Sequence, residues 1–291
     1  MMRLFITILP MFFMSQPVKA NSESEAALES LREAAFTHQF EAISADEQAL
    51  ARTLFQKLLK FEDQSELAPF LESLELEVEA LSADLLIVKE ADSRKTGRGF
   101  FAFRSNNSAV ILQSPHSQAD LGTGKITAQL MARQNFRAAA WNSAHRNNQT
   151  SGMSDLARLQ QSYFIALSQA AIDIIDEPVL LQLHGFDTDK RTTDAGRASH
   201  IIISSGEHIA HSAVLARAAC LQLLTVGVAI YPLDVTELGG TINPVGELIR
   251  ANRLRSFLHI EFDQTIRKQL LDDNQLIQET GICLLGEQPT F

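Results

Sequence analysis

Cysteine is scarce in this sequence, with two in 291 residues, which excludes a disulfide framework and a four-cysteine zinc site. Basic residues are also short: 25 Lys and Arg against 35 Asp and Glu, a net charge of −10 with no basic cluster. That balance excludes phosphate-driven binding to nucleic acid. Fourteen glycines and eight prolines are too few for a collagenous or low-complexity chain. Long apolar runs are missing as well. Leu4–Met14 is mostly apolar but falls short of the roughly 20 residues a bilayer crossing needs, and no other stretch is long and apolar enough for one.

What is present is a 45% hydrophobic chain, enough for a large buried core. Its first twenty residues read as an export signal. Arg3 supplies the positive start, Leu4–Met14 the apolar stretch, and Val18-Lys19-Ala20 the small residues of a cleavage site before Asn21. Removing Arg3 and Lys19 takes the charge from −10 to −12. The expected product is periplasmic or secreted, with no membrane span after the signal is removed; the alternative is a retained N-terminal anchor. Export permits a Cys220–Cys283 bridge. Two separately buried thiols are the other reading, with Cys220 in an apolar helical run and Cys283 in a strand-like one, Gly281 to Leu285.

Three segments follow from the periodicity: signal peptide 1–20, a helical extension 21–71, and an α/β domain 72–291. In the extension Leu28, Leu31, Ala35, Leu50, Leu54, Leu58 and Leu59 recur at helical spacing. At Leu74-Glu75-Leu76-Glu77-Val78-Glu79 the period changes to two, predicting a half-buried strand with the glutamates in solvent. Short apolar or β-branched runs then recur at Leu85–Val88, Gly99–Phe103, Ala109–Leu112, Ala138–Trp141, Val179–Leu183, Ile201–Ile203, Val226–Tyr231 and Phe257–Phe262. Helical stretches at Lys125–Gln134, Leu156–Ile175, Glu207–Leu224 and Val245–Leu254 alternate with them. This alternation predicts an α/β fold, its central sheet mostly parallel or mixed, with helices on both faces.

Ligands in such sheets bind beyond the carboxyl ends of the strands. Four of these strands end in chemically capable residues: His116 with Asp120 after the first, His184 after the second, Asn142 with His145 and Arg146 after the third, and Glu261 on the fourth. Two histidines and an acid suit a catalytic zinc site, which takes three protein ligands and keeps one position open. A separate carboxylate is then needed as a base. A phosphate loop at Gly122-Thr123-Gly124-Lys125 is rejected, because Ala119 and Ile126 stand where Gly and Ser/Thr are required. His208 and His211 lack the HExxH frame and read as surface or interhelical residues.

Ser114-Pro115-His116-Ser117, the following acid, the strand ending in His184, and Phe257-Leu-His-Ile-Glu261 together resemble the N-formylglutamate amidohydrolase group, within the wider zinc-carboxypeptidase-like fold. The resemblance covers roughly residues 99–271. It implies His116 and His184 as ligands of one zinc ion, Asp120 as the middle ligand where the family generally has Glu, and Glu261 as the carboxylate that activates water. Gln118 stands where glycine is common. Related hydrolases hold a substrate carboxylate with Arg and Asn, which points to Asn142 and Arg146, with Arg250 and Arg253 as alternatives and Arg146 also sharing the oxyanion charge. Asp187 and His145 are candidates for orienting the ligating imidazoles. The implied activity is zinc-dependent hydrolysis of an amide or peptide bond next to a carboxylate, on a small-molecule or peptide substrate. The rival is a non-catalytic binding protein of the same fold with a degraded metal site. Oligomeric state is left open.

Overall fold

The computed structural model describes residues 22–148 and 154–289; the expected leader lies outside them. Three helices come first: α1 (Ser22–Ala34), α2 (Ala45–Leu59) and α3 (Gln64–Leu74). The Ser44 hydroxyl accepts the Glu47 N–H and caps α2, while Asp46 and Glu47 meet the positive end of its dipole. The buried stripe Ala51, Leu54, Phe55, Leu58 and Leu59 keeps helical spacing. Glu75, in the left-handed conformation, ends α3 and turns the chain into the first strand.

Nine strands form one mixed sheet among the described residues: β1 (Leu76–Ser82), β2 (Leu85–Glu90), β3 (Phe100–Arg104), β4 (Val110–Ser114), β5 (Ala138–Trp141), β6 (Val179–Gly185), β7 (Ile201–Ser204), β8 (Val228–Ile230) and β9 (Phe257–Phe262). Their spatial order is β1-β2-β3-β5-β4-β6-β9-β7-β8. The four central strands β5, β4, β6 and β9 run parallel, so their carboxyl ends open on one edge. Antiparallel pairs flank them on both sides. In β1 the period of two survives: Leu76 is buried, and Glu77 and Glu79 are exposed.

The remaining helices are α4 (Thr123–Arg133), α5 (Tyr163–Ile174), α6 (Asp194–Ala198), α7 (Ser212–Leu224), α8 (Pro244–Ala251), α9 (Gln264–Asp272) and α10 (Asn274–Leu285). Apart from α6, they divide between the two faces. Residues of α1, α4, α7, α9 and α10 share one apolar cluster with Ile87, Leu112, Leu183 and Ile260. Residues of α2, α5 and α8 share the other with Val88, Phe103, Ile111 and Leu180. Phe55 of α2 lies 4.9 Å from Phe101, 5.7 Å from Phe103 and 6.0 Å from Tyr163, ring centre to ring centre. Burying an aromatic of this size stabilises by roughly 1.5–3 kcal/mol, so the N-terminal helices contribute to the same core as the sheet.

Three local expectations are corrected. Gly281–Leu285, read as strand-like, is the last turn of α10, where Cys283 and Leu284 face inward. The helix expected from Glu207 begins at Ser212, with His211 as its cap residue. The helix expected from Leu156 begins at Tyr163, because the Ser162 hydroxyl accepts the Ile165 N–H. Cys220 and Cys283 form a disulfide joining α7 to α10, with Cα atoms 5.5 Å apart. No described helix is long and apolar enough to cross a membrane.

Candidate metal centre

Successive strand side chains alternate between faces, and register does the rest. Gln182 pairs with His259 and His184 with Glu261 across β6 and β9, which sets four polar side chains on one face of two adjacent strands. Beyond β4 the chain turns back on itself: the Ala119 and Asp120 N–H groups both donate to the His116 carbonyl. That turn brings Asp120 over both imidazoles. The Gly185 N–H then donates to Asp120 Oδ2 at 3.0 Å and fixes it.

Three electron-rich atoms converge as a result. His116 Nδ1 and His184 Nδ1 are 3.2 Å apart, and Asp120 Oδ2 is 3.4 Å from the first and 3.8 Å from the second. Ligands held tetrahedrally at the usual zinc distances are separated by about 3.4 Å. The trio fits such an ion. The other nitrogen of each ring is already committed. His116 Nε2 is 2.7 Å from Asp155 Oδ1, and His184 Nε2 is 3.2 Å from Gln182 Oε1. Each outer partner takes an N–H, the arrangement by which metal-binding histidines are oriented; it leaves Nδ1 of both rings an acceptor, and that of His116 faces the Arg146 guanidinium at 3.0 Å.

Electrostatics divides the two imidazoles. Burial works against the charged form of His116, but the carboxylates of Asp120 and Asp155 outweigh it and raise its pKa. His184 is driven well below the ordinary value by burial, with His259 and His116 adding to the effect, so it is neutral and able to ligate. Burial pushes His259 down to about 4. Glu261 is pushed up to about 8, by burial first and by Asp120 second. Its Oε2 is buried without a hydrogen-bond partner, which is costly unless a cation or a reacting proton compensates it. His259 stacks on His184 at 4.4 Å, and its Nε2 lies 3.8 Å from Glu261 Oε1.

These groups line a cavity of about 470 Å³. Arg146, Arg158, Lys190, Arg191 and Arg267 supply positive charge around it. Arg146 donates to Asp155 Oδ2 at 2.9 Å and to His116 Nδ1 at 3.0 Å, so it serves the ligand as well as the wall. Arg191 rests against the Phe186 ring, 5.9 Å from its centre.

The structure thus brings together His116, Asp120, His184, Glu261 and Arg146. It does not bring Asn142, Arg250 or Arg253 to the cavity. Asn142 Oδ1 accepts from the Ser117 N–H at 2.6 Å and from its hydroxyl at 2.7 Å, and its side-chain amide donates to the Ala144 carbonyl. Asn142 ties two loops together instead of meeting a substrate. Arg250 donates to the Gly206 carbonyl, and Arg253 is exposed beyond α8. Nor do Asp187 and His145 orient the imidazoles. The Asp187 carboxylate accepts from the Asp189 N–H, and the His145 ring from the Asn147 N–H. Sequence reasoning missed Asp155, Gln182, His259 and Arg191. One available signal was the glutamine interrupting each of two otherwise apolar strands, Gln113 and Gln182. Asp155 carried none, being an acid in a polar loop.

No family model and no curated protein matches the chain. Among solved structures it is similar to the N-formylglutamate amidohydrolase from Ralstonia eutropha JMP134, at 12% identity and a TM-score of 0.45, covering 65% of this chain and 96% of that one. It is similar to a bacteriophage poly-gamma-glutamate hydrolase at 12% identity and 0.36, covering 75% and 92%. A metallo-carboxypeptidase from Burkholderia cenocepacia gives 10% and 0.37, covering 76% and 66%. At these scores the likeness carries no conclusion about activity. The His, Asp and Glu groups in the cavity are compatible with a metal ion on their own geometry.

Proposed function

We propose that this chain is an exported, zinc-dependent hydrolase of an amide or peptide bond next to a free carboxylate. The observation that carries the reading is the convergence of His116 Nδ1, His184 Nδ1 and Asp120 Oδ2 within 3.2–3.8 Å of one another, beside the unpartnered Glu261 Oε2. His116, Asp120 and His184 would hold the ion. When bound, zinc supplies Lewis acidity toward a carbonyl and a more acidic water.

The remaining work belongs to the chain. Glu261, ionised when a nearby cation offsets the burial that pushes its carboxyl up to about 8, takes a proton from the attacking water and returns it to the leaving nitrogen. Its buried position keeps competing solvent away from that proton. Arg146 and Arg191 offer planar guanidinium groups suited to a substrate carboxylate and to charge developing on the carbonyl oxygen. Export is supported by the leader-like start and by the Cys220–Cys283 bridge, a bond that oxidising compartments retain. Small N-acyl amino acids and short cell-wall peptides fit that address.

Elemental analysis of the mature protein is the test. About one zinc per chain is expected, lost in His184→Ala, together with release of amine from N-acyl amino acids or short peptides. A wild-type chain that neither contains nor takes up zinc would overturn the reading in favour of a non-catalytic binding protein.

A further inference from the structure

His184 can ligate through Nδ1 only if its proton sits on Nε2, and a buried chain of amides dictates where that proton goes. Gln182 is fully buried in β6. Its Oε1 lies 3.2 Å from His184 Nε2 and also accepts from Asn243 Nδ2 at 2.7 Å. Its Nε2 donates to Gln113 Oε1 at 2.8 Å, Gln113 Nε2 donates to the Ser168 hydroxyl at 3.0 Å, and that hydroxyl donates to the Phe164 carbonyl.

Either end of this chain is held by backbone that cannot reverse its role. At one end Asn243 caps α8, its Oδ1 accepting the Val245 N–H at 3.0 Å. A peptide N–H only donates, so the Asn243 amide must turn its Nδ2 toward Gln182. At the other end the Phe164 carbonyl only accepts, which orients Ser168 and through it Gln113. Both constraints present Gln182 Oε1 to His184, and an oxygen there requires a hydrogen on Nε2.

Resting on the reading that His184 binds metal, we propose that Gln182 and Asn243 are positioning residues: the cap of α8 selects the His184 tautomer and keeps Nδ1 bare for the cation. Asn243 belongs to the Gly239–Pro244 stretch, whose Gly240, Ile242 and Asn243 also line the cavity. The proposal explains why a polar column runs through a sheet face otherwise filled by Ile111, Leu180 and Phe257.

The experiment uses the mature chain stripped of metal and labelled with ¹⁵N-histidine. Long-range proton–nitrogen correlation reports which His184 nitrogen carries hydrogen, and zinc alone is then titrated against a competing chelator. Wild type should show Nε2–H. Gln182→Glu keeps an acceptor at the same reach and should keep that tautomer and the wild-type zinc affinity. Gln182→Met, of similar length but with no acceptor, should lose the enforced tautomer and weaken zinc ~10–100-fold, the usual effect of removing a ligand's hydrogen-bond partner. Asn243→Ser retains a capping oxygen but cannot reach Gln182, and should shift the tautomer partway.

A purely structural role would make Gln182→Glu, which buries a charge, at least as damaging as Gln182→Met. That ranking overturns the proposal, as does wild-type His184 protonated on Nδ1 or an unshifted tautomer in Asn243→Ser. If Gln182 controls the tautomer but wild type takes up no zinc, the hydrolase reading falls and the relay stands. If zinc binds wild type and Gln182→Met equally, the relay falls alone.

Discussion

Asp155 Oδ1 lies 2.7 Å from His116 Nε2, and its second oxygen accepts from Arg146 at 2.9 Å. One carboxylate therefore grips the His116 imidazole and a cavity-wall guanidinium at once. Replacing Asp155 with Ala should leave a folded protein whose zinc affinity is ~10–100-fold weaker, measured by chelator competition. Unchanged affinity would mean that His116 is oriented by something other than Asp155.

Glu261→Gln separates the base from the metal site. The amide preserves shape but cannot accept the water's proton, so the zinc content should stay at the wild-type level while kcat falls ~10²–10⁴-fold. Turnover at the wild-type rate would remove Glu261 from the mechanism.

The disulfide joins residues 63 apart in sequence, so its loss frees a long loop in the unfolded chain. Replacing Cys220 and Cys283 together with Ser should lower the unfolding free energy by about 2–4 kcal/mol. Urea denaturation of the oxidised proteins measures it, and the gap should close when wild type is reduced.

Away from the cavity, Arg52 of α2 donates twice to Asp173 of α5, both at 2.6 Å, and Gln56 adds a third donor. The hydrogen bonds from Arg52 hold the Asp173 carboxyl below its ordinary value of 3.8. An acid with a depressed folded pKa stabilises above its unfolded pKa, and that stabilisation is lost as pH falls through the lower folded value. Asp173→Asn should therefore cost about 0.2–1 kcal/mol at neutral pH, with the difference shrinking below about pH 4. A difference that instead grew on acidification would contradict the assignment.

Much of this architecture is legible in the residues because both periods are clean where the sheet is amphipathic or buried. The glutamates of β1 and the apolar runs of β4, β6 and β9 declare themselves. Gly281–Leu285 does not, since five apolar residues fit a strand or one helical turn equally, and only the packing of Ile277, Cys283 and Leu284 decides. His116, Asp120, His184 and Glu261 could be read from their places at strand ends. Asn142 occupies such a place too, yet its amide is consumed by Ser117 and Ala144. Asp155 reaches His116 from 39 residues away, and no local pattern encodes that approach.

Phe55 stands between β3 and α5, touching Phe101, Phe103 and Tyr163. A protease cut or a cloning boundary that deleted the first three helices would not release a trimmed, folded domain. It would wet three rings at once and strip the floor from under the antiparallel end of the sheet, leaving a sticky, poorly folded remnant.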